Sequence, residues 1–187
     1  MLIRYIFISL LFFCFLACEQ KGGTTSDTAT AVPIEKEEMQ NNSPSTKLSV
    51  YDKFEDIEYI FNQQNDTTYV INFWATWCKP CVAELPYFDD LFKEFEDDKL
   101  KIILVSLDFP KQLDTKLKPF LKKHNVLPEV KMLKDSNVNR WGDKVSDEWD
   151  GAIPITLIYN KDKRLFVSGE LEDYAALKEK VHPLVIN

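Results

Sequence analysis

The 187-residue chain carries 23 Lys and Arg against 30 Asp and Glu, a formal net charge of −7. That acidic balance argues against nucleic acid as a partner, because phosphate recognition depends on clustered Lys and Arg. With 45% hydrophobic and 13% aromatic residues there is ample material for a core, and the length suits one domain plus appendages, a domain running to about 100–150 residues. Glycine occurs only 5 times, and no phosphate loop or dinucleotide fingerprint is present.

In chain order, Arg4 precedes an apolar run from Tyr5 to Ala17 whose only small polar member is Ser9, the pattern of a secretory leader. The run is shorter than the roughly 20 apolar residues that cross a bilayer. Its end, Phe15-Leu16-Ala17-Cys18, resembles the lipobox of bacterial lipoproteins, in which the Cys after a small residue is lipidated and becomes the mature N-terminus. Phe15 stands where Leu is usual. Residues 1–18 are therefore read as a signal peptide with Cys18 lipidated; an uncleaved anchor and simple secretion are the alternatives. All three put the rest of the chain outside the cytoplasm, where a free thiol pair must be kept reduced. Residues 19–45 are small, polar and charged, with almost nothing to bury, and read as a disordered tether. Residues 46–187 are left as the folded domain.

Within it, Leu48–Tyr51 is a possible short strand. Phe54, Ile57, Ile60 and Phe61 then recur at helical spacing. Tyr69–Trp74 reads as a buried strand, and the helix after it stripes Leu85, Phe88, Leu91, Phe92 and Phe95 along one face. Lys101–Leu107 is apolar almost throughout, as befits a strand covered on both faces. Lys111–Asn125 reads as a helix in which Pro119 marks a kink or a late start. Val130–Leu133 is a short strand, followed by a weak helical turn around Asn137–Gly142. Ile155–Tyr159 and Arg164–Ser168 are strands joined by a hairpin turn at residues 160–163, and Glu172–Leu184 is a closing helix. Strands alternating with helices, then a hairpin and a helix, predict a three-layer α/β domain with a mixed sheet.

The chemistry concentrates in Asn72-Phe73-Trp74-Ala75-Thr76-Trp77-Cys78-Lys79-Pro80-Cys81. A structural zinc wants four Cys or His ligands, but the other two cysteines, Cys14 and Cys18, lie in the leader, and His124 and His182 are isolated. An inert disulfide across so short a loop would constrain little of the unfolded chain. A redox pair has a mechanism. At a helix N-terminus the first thiol meets backbone N–H groups and the positive end of the helix dipole, which favour thiolate. That makes Cys78 the nucleophile and Cys81, one turn deeper, the thiol that resolves the mixed disulfide. Pro80 suits an early helical position, where its missing N–H costs nothing, and Lys79 adds a positive charge beside Cys78.

The segment resembles the active site of the thioredoxin superfamily, and Trp77 to Pro86 is most similar to the TlpA/ResA-type branch of exported thiol-disulfide oxidoreductases. The resemblance rests on Trp77-Cys78-x-Pro80-Cys81, on Glu84-x-Pro86, and on Ala152-Ile153-Pro154-Ile155-Thr156, which is similar to the family's cis-proline loop. It implies a thioredoxin-like three-layer α/β/α sandwich with an inserted helix-strand unit at roughly residues 110–134. It further implies that Glu84 tunes the cysteine pair, that Pro86 kinks the helix, and that Pro154 is cis beside the cysteines. A proline there leaves the backbone of neighbours such as Ile153 free to pair with an extended substrate, flanked by Trp77, Lys79 and Pro80. On composition alone Pro154 is a strand-start proline.

Two departures stand out. Thioredoxin's buried Asp, six residues before the first Cys, is here Asn72, which cannot titrate; Glu84 is the candidate replacement, with an ordinary exposed helix carboxylate as the alternative. Pro154 lies farther beyond Cys81 than a minimal thioredoxin fold requires, which the inserted unit accounts for. The segment Asp143–Asp150 is less usual, and Trp149 is expected to pack beneath the loop that follows, with contact to substrate as the alternative. Trp74 is expected in the core and Trp77 at the exposed flank of the site. The implied function is an extracytoplasmic, membrane-tethered reductase of exported proteins, apocytochrome c included, re-reduced by a membrane electron-donor protein. No cofactor beyond the Cys78–Cys81 couple and no metal are implied. A thiol peroxidase and a non-catalytic binding module on the same fold are the alternatives.

Overall fold

The computed structural model describes residues 46–96 and 99–185. The leader, Cys18 and the tether lie outside the described residues. Six strands form one sheet: β1 (Leu48–Tyr51), β2 (Thr68–Trp74), β3 (Leu100–Ser106), β4 (Glu129–Leu133), β5 (Ile155–Tyr159) and β6 (Arg164–Ser168), ordered β1-β4-β3-β2-β5-β6. The four from β1 to β2 across the sheet run parallel, while β5 pairs antiparallel with β2 and β6 antiparallel with β5. The helices are α1 (Lys79–Glu94), α2 (Lys118–His124), α3 (Val138–Val145) and α4 (Tyr174–Val181).

Strand β2 organises the whole. All seven of its residues are buried, and because side chains alternate across a sheet they supply two layers at once. Val70 and Trp74 join Leu104, Val130, Met132 and Ile158 under α1, α2 and α4. Ile71 and Phe73 join Ile103, Val105, Leu157 and Tyr159 on the opposite face. That second layer is largely aromatic: Phe54 stacks on Trp141 at 4.7 Å between ring centroids and on Phe61 at 5.4 Å. Within α3, residue 142 is glycine where the Trp149 ring packs; a Cβ there would meet Val138 Cγ1, one turn back on the same helix, at 3.0 Å and Trp149 at 3.6 Å.

The expected helix at residues 54–61 is instead two 3-10 turns, Phe54–Asp56 and Glu58–Phe61. Phe54, Ile57 and Ile60 recur every third residue, which matches the three residues per turn of a 3-10 helix as well as it approximates 3.6, and all are buried against the sheet. The segment expected as one helix from Lys111 is likewise broken into a 3-10 turn (Pro110–Gln112), a turn of π-helix (Leu113–Leu117) and α2. Pro119 occupies the first turn of α2, where its missing N–H is harmless, and Asn125 ends the helix in the left-handed conformation at φ 49°.

Candidate active site

Cys78 caps α1. Its Sγ accepts from the Cys81 N–H at 3.3 Å, and Pro80 lies in the first turn. The two sulfurs are bonded to each other, with their Cα atoms 5.3 Å apart. Burial is unequal: Cys78 keeps 7% of its surface exposed and Cys81 none. Trp77, half exposed, and the exposed Lys79 flank Cys78 on the surface. Pro86 sits inside α1 without ending it; it removes the N–H that would have reached the carbonyl four residues back.

Across from the sulfurs, the Ile153–Pro154 peptide is cis. The Ile153 carbonyl oxygen lies 3.8 Å from Cys78 Sγ. Among the described residues the Ile153 N–H finds no hydrogen-bond partner, while Gly169 N–H donates to the Pro154 carbonyl at 3.0 Å. Trp149 packs beneath this loop, stacked obliquely on Phe73, and its indole N–H donates to the Ala152 carbonyl at 2.7 Å. The segment 143–150 thus props the proline loop from below.

Glu84, one turn beyond Cys81, is fully buried. Its carboxylate accepts from the Asn72 amide at 2.8 Å and from the Leu171 N–H at 2.9 Å. Burial pushes its pKa up to about 7; the Leu171 and Asn72 donors oppose that rise and Glu170 adds to it. Asn72, on the α1 side of β2, also donates to the Thr156 hydroxyl at 3.0 Å. Asn72 thus joins the carboxylate on α1 to strand β5, immediately after the proline loop.

Two residues, Asp108 and Phe109, entered the site without a signal in the sequence. Buried Asp108 accepts from the Thr76 N–H, the Thr76 hydroxyl and, at 2.8 Å, the Ser106 hydroxyl. It therefore fixes the loop that leads into Cys78 from 32 positions away. Phe109 lies beside Trp77. An Asp or a Phe after a strand is commonplace, and only the parallel pairing of β2 with β3 brings these residues to Cys78.

A mixed sheet with helices on both sides, carrying a C-x-x-C disulfide at the head of a helix and a cis proline opposite, defines a protein of thioredoxin fold. Residues 40–167 match the AhpC/TSA family, and the chain belongs to it. Among relatives, the thiol-disulfide oxidoreductase ResA of Oceanobacillus iheyensis is 54% identical over 39 residues, 21% of this chain and 20% of that protein. ResA of Bacillus thuringiensis subsp. konkukian is 27% identical over 111 residues, 56% of this chain and 59% of that one. The chain thus spans less than two thirds of the length of these curated relatives. The fold is shared with the structure of a DsbF homologue from Corynebacterium diphtheriae, at TM-score 0.53 and 17% identity over 67% of this chain and 75% of that one.

Proposed function

We propose that this protein is an extracytoplasmic thiol-disulfide oxidoreductase that reduces disulfides in exported polypeptides. The observation that carries this reading is the unequal pair: Cys78 at the surface end of α1, Cys81 sealed behind it and bonded to it. In the reduced protein the Cys78 thiolate attacks one sulfur of a substrate disulfide. A Cys78–substrate bond forms, the substrate S–S bond breaks, and the leaving sulfur takes a proton. Cys81, its proton passed toward Glu84, then attacks Cys78 Sγ; the mixed disulfide breaks and the second substrate thiol leaves protonated. Two electrons have moved to the substrate, and the protein is left in the bonded form. A dithiol donor reverses the cycle.

The Ile153 N–H and carbonyl would pair with the substrate backbone as an added extended strand. Lipidation at Cys18 and the 19–45 tether would hold the domain at a membrane, where a membrane electron-donor protein supplies the dithiol. Apocytochrome c is one substrate this reading admits. A lone peroxidatic cysteine, the alternative on this fold, fits poorly with a second sulfur bonded to Cys78, and a non-catalytic module gives the pair no use.

Insulin reduction tests the reading. Cys78→Ser should abolish turnover, and Cys81→Ser should accumulate covalent adducts that a reductant releases. Turnover that survives Cys78→Ser removes it. Membrane fractionation of Cys18→Ser tests the anchor, which is lost as an idea if the variant stays membrane-bound.

A further inference from the structure

The surface beside Cys78 is built by two loops. Trp77 comes from the segment between β2 and α1, Phe109 from the turn after β3. Their rings lie alongside one another, centroids 6.0 Å apart and planes 21° from parallel. Each is about half exposed, at 50% and 49%. Among the described residues, the other large exposed apolar side chains, Val50, Tyr59, Phe92 and Leu165, are dispersed over separate elements, which is ordinary for a protein surface. A contiguous pair of rings next to a nucleophile is not.

The pair is also held in place. Asp108 ties the two loops together through the Thr76 N–H and hydroxyl and the Ser106 hydroxyl. The Leu107 N–H donates to the Trp74 carbonyl at 2.8 Å, and the Phe109 N–H donates to the Gln112 side chain at 3.2 Å. Pro110 follows, restricting the backbone of Phe109 to extended conformations, as its φ of −62° and ψ of 144° show. Both rings are thus fixed toward solvent by a buried hydrogen-bonded mount, when apolar surface left to itself would be driven inward.

Resting on the redox reading above, we propose that Phe109 and Trp77 form an apolar shelf that binds an aromatic or branched aliphatic side chain beside the cysteine of a polypeptide disulfide substrate. Trp77 is joined directly to Cys78, so the shelf is continuous with the point of attack. The Ile153 carbonyl oxygen lies 3.8 Å from the same sulfur, and among the described residues the Ile153 N–H has no hydrogen-bond partner. A substrate strand crossing between them places a side chain next to its cysteine over the two rings, where face or edge contacts with an apolar group are favourable. Phe109 is therefore a specificity-determining residue of the exchange.

The test uses the pre-reduced full-length protein, Phe109→Ala and Phe109→Leu. Three disulfides are offered: a peptide with Phe or Leu beside a cysteine, the same peptide with Ser there, and oxidised glutathione. Wild type should favour the apolar peptide over the Ser peptide by about tenfold in kcat/KM. Phe109→Ala should bring that ratio toward one, and Phe109→Leu should keep most of it. A wild type without the preference, or a preference that Phe109→Ala retains, overturns the shelf and leaves the redox reading standing. A proportional loss on all three disulfides also overturns it, since Phe109 would then act on the cysteine pair. A wild type that reduces none of the three, glutathione disulfide included, removes the redox reading and the shelf with it.

Discussion

Glu84 is a carboxyl that the fold has taken fully out of water and given, among the described residues, two donors, the Asn72 amide and the Leu171 N–H. Its pKa of about 7, raised first of all by burial, stands against an ordinary value of 4.5. Between those pH values the folded protein holds a proton that the unfolded chain has already lost. Stability therefore falls as pH rises from about 4.5 to about 7 and levels off above, and the change attributable to this group is about 3 kcal/mol at about 1.4 kcal/mol per pH unit. Glu84→Gln cannot titrate and should flatten this part of the profile. Urea denaturation of the oxidised protein from pH 4.5 to 8 measures it, as the difference between wild type and variant; parallel profiles would show that Glu84 does not titrate in this window. The same substitution should remove the limb near pH 7 from the rate of substrate release, because Cys81 would lose its proton acceptor. That Glu84 matters could be read from its place three residues after Cys81. That it is buried could not, because the partners that enclose it, Asn72 and the Leu171 backbone, come from β2 and from the turn before α4.

Between strands, Asp108 does for the active-site loop what no residue of that loop does for itself. The turn after β3 and the loop after β2 leave adjacent parallel strands at the same end of the sheet, and the buried carboxylate takes three donors there. Asp108→Ala strands those donors, and a buried group left without its partner costs about 1–3 kcal/mol. The expected loss of stability is about 2–4 kcal/mol, together with a lower ratio of kcat/KM for apolar over Ser peptides as Phe109 loses its mount. Chemical denaturation checks the first and peptide kinetics the second; a variant within 0.5 kcal/mol of wild type, by the usual margin for surface changes, would show that the loop is held by other contacts. Most elements were legible because β1, β4, β5 and β6 are short apolar runs between turn signals, and their bounds fall where the pattern puts them, to within a residue. Two failed for local reasons: period three at Phe54, Ile57 and Ile60 serves a 3-10 turn as well as a helix, and Pro119 splits a helical pattern that its neighbours would otherwise continue.

The two core layers share β2, β3 and β5, so neither can be lost while the other stays packed. Residues 46–187 should therefore unfold in one transition, seen alike by far-UV circular dichroism and tryptophan fluorescence. Strand β1 is one edge of the sheet and β6 the other. Among the described residues β1 pairs only with β4, through bonds that include the Val130 N–H to the Lys47 carbonyl at 2.9 Å and the Lys134 N–H to the Tyr51 carbonyl at 2.9 Å. It also supplies the Tyr51 hydroxyl that accepts from buried Lys131 at 3.1 Å. A fragment starting at residue 52 would leave β4 as an uncovered edge with an ammonium deprived of one of its partners; Glu129, at 2.6 Å, would remain. Exposed edges recruit other strands. The shorter fragment should lose about 2–4 kcal/mol relative to residues 46–187 and self-associate on light scattering. Because β1 lies at the far side of the sheet from β5, its reduced cysteines should still attack oxidised glutathione at the rate of the longer fragment while it stays folded. A slower attack in the folded fragment would mean that the edge strand reaches the cysteine pair through the sheet.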